Sequence, residues 1–263
     1  MPQVADLKGL WKRSLIAWPD GREDTSTRVR WLQGPRMYID LRQPASMPDF
    51  SHVGHLGDLS GSDCVWLAAQ EGFAGHLGFD GRHFEWARQI DFRPASSFAD
   101  AGSLEWEAQV LVEHGRDVGY VEHWHRDVAA GTDPCGAAVL HEVESRTKAV
   151  LLRVGSAFMF ARDRAMPLPA DRTLSESVAG AATVELARAL IDCEISFGVV
   201  APEGFRIGAS TLPYRLGAVL GQCLRDDTVT TCDRGTGGAA VARHWDIIEC
   251  EGDLGALRRP QEC

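Results

Sequence analysis

Tyr120–Asp127 reads YVEHWHRD and sets an imidazole on either side of an indole. In an extended strand alternate side chains share a face, so His123 and His125 point one way and Tyr120, Glu122, Trp124 and Arg126 the other. A His-x-His pair on a strand can ligate a metal ion. A cupin-type site also needs a glutamate soon afterwards, and Val128 and Ala129 stand where it would be. The histidines therefore read as structural, and neither a metal nor another cofactor is expected. The tryptophan face holds the more demanding chemistry, because a Glu and an Arg inside a fold must be paired or meet a polar ligand.

Other hairpins must bring partners to that face. Around Gly34-Pro35 the runs RVRWLQG and RMYIDLRQP alternate, placing Tyr38, Asp40 and Arg42 opposite Met37, Ile39 and Leu41. Beyond the Asp80-Gly81 turn, Phe84, Trp86, Arg88, Ile90 and Phe92 fall on one face, and a third hairpin turns at Gly115-Arg116-Asp117. One antiparallel unit can then present Tyr38, Trp86 and Trp124 around Asp40, Arg88 and Glu122, an apolar pocket with a few convergent polar groups. The candidate ligand-binding residues are Tyr38, Trp86, Arg88, Tyr120, Trp124 and Arg126, and the candidate acid–base groups are Asp40, Glu122 and His125. The competing reading makes the aromatics packed core and the charges a barrel rim. HVGHLGD (His52–Asp58) reads as a mobile mouth loop with His52, His55 and Asp58, whereas GTGG (Gly235–Gly238) is a turn with no helix behind it.

The chain also repeats itself. VARHWDIIE near the end places Trp245 121 positions after Trp124, and at offsets of 121 to 123 Gly34 meets Gly155, Glu71 meets Glu194 and Gly75 meets Gly198. Each unit carries three hairpin signals, which point to an antiparallel barrel or sandwich. GTDPCG (Gly131–Gly136) reads as the linker, giving units 1–133 and 134–263. One helix is expected over Ser175–Glu194, with a loop at the corresponding place in the first unit. At constant offset Phe158 and Phe160 fall on Met37 and Ile39, and Ala161 on Asp40, so the second copy is plainer and any site belongs to the first.

With the motifs TRVRWLQGPRMYIDLR, GFAG at Gly72–Gly75, YVEHWHRD, RTKAVLLRVG and HWDIIE in this order, the sequence resembles a fungal and bacterial family known from a yeast casein-kinase-interacting protein. That resemblance implies an all-β fold of two tandem lipocalin-like (calycin-type) β-barrels over most of the chain. It brings no catalytic residues with it.

Composition narrows the partners. A formal net charge of −10 over 263 residues disfavours nucleic acid and anionic membranes. No apolar run approaches the roughly 18 residues of a membrane span. Seven cysteines without a C-x-x-C pair, and no apolar signal core at the start, suggest reduced thiols and a cytoplasmic protein. The function expected is binding of a small, largely apolar molecule in the first barrel. Two alternatives stand beside it: a cofactor-independent lyase, isomerase or hydrolase, and a protein-interaction module with filled barrels. What separates them is whether the first lumen is open or plugged by Trp86 and Trp124.

Overall fold

A computed structural model of the protein describes residues 2–225 and 227–259; Cys263 lies outside them. In the first half, β1 (Gly9–Ala17), β3 (Arg28–Gln33), β4 (Met37–Gln43), β5 (Glu71–Phe79), β6 (Phe84–Asp91), β7 (Ala101–Glu107), β8 (Val110–Gly115) and β9 (Val121–Arg126) pair antiparallel in chain order. β9 returns to β1 and closes an eight-stranded barrel, while the short β2 (Glu23–Asp24) folds back on the end of β1.

The second half repeats the order with β10 (Cys135–Glu142), β11 (Lys148–Val154), β12 (Ala157–Arg162), β13 (Glu194–Ala201), β14 (Gly204–Ser210), β15 (Cys223–Arg225), β16 (Thr228–Arg234) and β17 (Ala240–Gly252). Here the ladder runs from β14 to β15 and does not close. The irregular segment 216–220 fills part of the seam: Ile207 N–H donates to Ala218 O (2.8 Å), Leu220 N–H to Phe205 O (2.9 Å) and Cys232 N–H to Leu220 O (3.3 Å). Two tandem barrels, one closed and one curled, make up the fold.

The strand registers fix which residues of the two copies correspond. Tyr38, Gly75 and Arg88 lie in one cross-strand row, and Phe158, Gly198 and Ile207 form the same row in the second barrel. Trp124 opposes Leu111 as Trp245 opposes Val229. A constant sequence offset misaligns β4 with β12 by one residue, because Gly34–Arg36 joins β3 to β4 whereas the shorter Gly155–Ser156 joins β11 to β12. Phe158 and Phe160 therefore correspond to Tyr38 and Asp40, not to Met37 and Ile39.

Between the barrels lies the largest apolar core. Leu32, Met37, Ile39, Leu41 and Ala74 on the outer wall of the first barrel pack on Ala137, Val139, Val150, Leu152, Met159, Ala161 and Ile195 of the second. The contacts are partly reciprocal: β4 meets β11 as β3 meets β12, with β3 on β11 and β4 on β12 between them, while β4 also packs on β13. Three helices close the side of this core: α1 (Gly61–Leu67), α2 (Leu174–Ala179) and α3 (Val184–Ile191). The helix expected over Ser175–Glu194 is thus two. Gly180 ends α2, and the Thr183 side chain caps α3 by accepting from Leu186 N–H. The stretch expected to be a loop contains α1, nucleated by a Ser60–Asp63 capping box.

A β-bulge at Ala74/Gly75 decides which residues of β6 face inward. Phe84, Trp86 and Arg88 face the lumen, but past the bulge Ile90 and Phe92 join the inter-barrel core and Asp91 turns toward Arg88. The single face expected for Phe84 through Phe92 is therefore broken. A Cβ at Gly75 would lie 1.9 Å from Ala87 O, and one at Gly198 2.1 Å from Arg206 O. Gly78, three residues on and on the opposite face of β5, meets nothing nearer than 3.9 Å. Gly75→Ala is expected to destabilise the fold by about 2–3 kcal/mol in urea denaturation, and Gly78→Ala by less than about 0.5 kcal/mol.

Candidate functional site

The lumen of the first barrel is divided between two chemistries. Toward one end, Trp31 is the centre of an indole cluster, with ring centroids 5.4 Å from Trp124, 5.7 Å from Trp11 and 5.8 Å from Trp86. Offset and edge-on contacts of this kind add to the area each ring buries. The room expected between Trp86, Trp124 and Tyr38 is occupied by the rings themselves, with Trp124 only 2% exposed.

The other half is ionic. Arg13 pairs with Glu122, and Arg42 donates from Nε to Asp40 Oδ1 (2.9 Å) and lies 3.6 Å from Glu122. Arg88 extends one amino group to Asp91 (2.8 Å) and the other to Asp100 (2.7 Å), and its guanidinium lies 3.6 Å from the centroid of Phe73. Tyr38 packs edge-on against the same Phe73 ring, at 6.0 Å. Glu113 accepts from Tyr120 Oη (2.7 Å) and from Trp124 Nε1 (3.1 Å), so it joins the indole cluster to the charges.

Burial, reinforced by the negative charges of Glu122 and Asp100, holds the Glu113 carboxyl well above the usual range. Burial likewise raises Asp40 to about 6, against the opposing pull of Arg42 and with Glu122 and Glu71 adding to the rise. The Tyr38 and Tyr120 phenols are pushed up mainly by burial. Tyr38 Oη and Arg88 Nε are both buried and have no hydrogen-bond partner.

The second barrel serves as an internal comparison. Where the first has Tyr38, Asp40 and Arg88, the second has Phe158, Phe160 and Ile207, all packed in its apolar core. At the positions of Glu113 and Glu122 it has Thr231 and Arg243, and Thr231 takes the indole N–H of Trp245 at 2.9 Å. Arg42 and Glu71 recur as Arg162 and Glu194. An arginine opposite a glutamate is common to both copies, and the second has a buried ionic cluster of its own. In it Arg215 meets Glu194 (2.9 Å) and Asp233 (3.5 Å), and Arg243 meets Glu142 (2.8 Å) and Asp233 (3.2 Å). What the first alone has is polar groups at the positions of Tyr38, Asp40 and Arg88.

The barrel wall is least paired between β6 and β7, which meet only at Phe84–Gly102 and Glu85–Ala101. Beyond that point the chain from Phe92 to Asp100 covers the gap. A cavity of about 340 Å³ there is bordered by Trp86, Arg88, Asp91, Phe98 and Asp100. A smaller one of about 100 Å³ is bordered by Arg88, Asp100, Val118 and Tyr120.

Among the expected site residues, Tyr38, Asp40, Arg88, Tyr120 and Glu122 come together, and Trp86 and Trp124 are wall and filling. His125 is outside, its ring 2.9 Å from Ser14 Oγ on the outer wall, because the alternation that turns Glu122 inward turns His125 outward. Arg126 lies at the far end of β9, over Trp11 and donating to Asp6 O, too far along the strand to join the cluster. The His52–Asp58 loop sets Val53 and Leu56 into the core between the barrels. It docks on the GTGG turn: a Cβ at Gly57 would meet Thr236 O at 2.2 Å, and one at Gly238 would meet His55 Cδ2 at 2.7 Å. Glu113, Asp91, Asp100, Arg13 and Phe73 were missed. Only the ladder, which sets Glu113 opposite Glu122, reveals the first of them. Among the described residues no group of three or more His, Cys, Asp or Glu could hold a metal ion, and no helix is long and apolar enough to cross a membrane.

No protein-family model and no curated protein matches the sequence. Among solved structures, the chain is similar to an uncharacterized protein of Saccharomyces cerevisiae, YLR301w, at 13% identity and a TM-score of 0.51 over 92% of this chain and 98% of that one. That likeness is one of fold. A match to the DNA polymerase sliding clamp of Bacillus subtilis, at 10% identity over 95% of this chain and 79% of that one, has a TM-score of 0.16 and carries no argument.

The raised Asp40 carboxyl gives a signed expectation. Its contribution to stability is present below its unfolded value and is lost as pH rises through about 6. Asp40→Asn should remove that loss, shifting the variant's stability relative to wild type by about 3 kcal/mol in its favour between about pH 4 and about pH 7. Denaturation at both pH values measures it.

Proposed function

We propose that the N-terminal barrel binds a small polar molecule in its ionic half, reached through the wall beside Arg88 and Asp100. The observation that carries this reading is the difference between two copies of one fold. The second barrel packs apolar side chains at the three positions where the first sets Tyr38, Asp40 and Arg88. A barrel of this kind folds without those polar groups, and a buried polar atom left unpaired costs about 1–3 kcal/mol. Retaining Tyr38 Oη and Arg88 Nε at that cost supports a ligand that satisfies them. The filled indole cluster directs the reading away from a large apolar guest and toward a polar one. Glu113 and Asp40 are the groups that acid–base chemistry on such a molecule would use. The free state of the described cysteines is in keeping with a reducing cytoplasm.

A second reading rests on the apolar packing of both lumens and on the resemblance to the family of a kinase-interacting yeast protein. It makes the barrels scaffolds and assigns function to an outer surface, where Phe98 and Trp106 are exposed.

Native mass spectrometry of the protein purified from its own host distinguishes the two. The first reading expects a bound small molecule on wild type that is absent from the Tyr38→Phe, Arg88→Ile double variant, in which both residues become those of the second barrel. A bare polypeptide from wild type, or an adduct that survives in the double variant, would favour the surface.

A further inference from the structure

Two buried hydrogen-bond groups without partners lie in the same cross-strand row. Tyr38 on β4 and Arg88 on β6 are separated by Gly75 on β5, which puts no side chain between them. Both rest on Phe73, Tyr38 edge-on and Arg88 face-on, so one ring fixes the direction of each. Tyr38 is wholly buried, and the charges that bear on its hydroxyl are those of Arg88, Asp100, Asp40 and Asp91. Arg88 is held further by one carboxylate on each amino group, and its Nε–H is buried without a partner.

Resting on the reading that this barrel binds a small molecule, we propose that the Tyr38–Gly75–Arg88 row is a receptor for the oxygen of a neutral carbonyl compound, such as an amide or a ketone. The Nε–H of arginine is a donor and never an acceptor, and the tyrosine hydroxyl in the same row donates as readily. What the pair lacks in common is an acceptor atom. Net charge decides which acceptor. The positive charge of Arg88 is already answered by Asp91 and Asp100, and that of Arg42 by Asp40, so a carboxylate or phosphate would enter with neither cation left to meet it. An ammonium ligand would find attraction here but would leave both donors unsatisfied. A neutral carbonyl satisfies both without adding charge, and the Trp86 ring, which borders the cavity beside Arg88, suits a planar group. Phe73 holds both side chains in place, which limits the side-chain freedom lost on binding.

Four fragments of one shape separate the possibilities: benzamide, benzoate, benzylamine and toluene, titrated into the full-length protein while its tryptophan indole resonances are followed. Benzamide is expected to bind at least about tenfold more tightly than the other three, since each tenfold step corresponds to roughly one well-made hydrogen bond. Tyr38→Phe should weaken benzamide by about tenfold and leave benzylamine unchanged. Phenylalanine is what the second barrel carries at this position, so the variant is expected to fold, and its thermal melt is recorded alongside. Equal affinity of benzamide for wild type and Tyr38→Phe would overturn the carbonyl receptor. Preference for benzoate or benzylamine would also overturn it, while leaving a polar small-molecule site in place. Preference for toluene, or binding of none of the four by folded protein, would remove the polar small-molecule reading as well.

Discussion

The carbonyl oxygen of Ala87 occupies the space that a side chain at position 75 would need, and much of the arrangement of the first barrel depends on that contact. Because residue 75 is glycine, β5 and β6 can approach closely enough to form a bulge. The bulge reverses the alternation of β6, so that Ile90 and Phe92 enter the core between the barrels and Asp91 reaches Arg88. The same contact between Gly198 and Arg206 O operates in the second barrel. One backbone approach therefore ties the attachment of the barrels to the orientation of an arginine in the lumen.

The lumen of the first barrel combines two requirements that usually conflict. Its indole cluster supplies the burial that stabilises the barrel, while its ionic half spends stability on desolvated charge. Glu113 stands at the boundary, accepting from the Trp124 indole on one side and from Tyr120 on the other, and its surroundings favour the neutral acid. In the second barrel Thr231 makes the corresponding indole hydrogen bond without any charge. The fold needs an acceptor for that N–H; it does not need an ionisable one.

Much of this was visible in the sequence. The tryptophan pair, the matching glycines and the alternation of Tyr38, Asp40 and Arg42 against Met37, Ile39 and Leu41 revealed a duplicated β unit and the inward face of β4. β1 was harder to see, because Lys12, Arg13 and Ser14 interrupt its apolar pattern and a bulge between Arg13 and Leu15 shifts its register. The inward turn of Asp91 depends on a bulge that leaves no mark in the composition of β6. Glu113 and Glu122 become neighbours only through strand pairing, and Asp100 only through a loop that crosses the wall. Periodicity reports which face a residue occupies along one strand; it does not report what stands across from it.

The reciprocal contact between the barrels has a meaning beyond stability. β3 and β4 of one copy meet β11 and β12 of the other through the same face, an approximation to the self-complementary geometry of a two-fold homodimer from which the contact of β4 with β13 departs. The chain is in effect a dimer whose subunits have been joined, so that their meeting is intramolecular and no longer depends on concentration. In a true homodimer any substitution in the lumen would appear twice. Fusion releases that symmetry, allowing one lumen to keep tyrosine, aspartate and arginine while its twin fills the same places with phenylalanine and isoleucine.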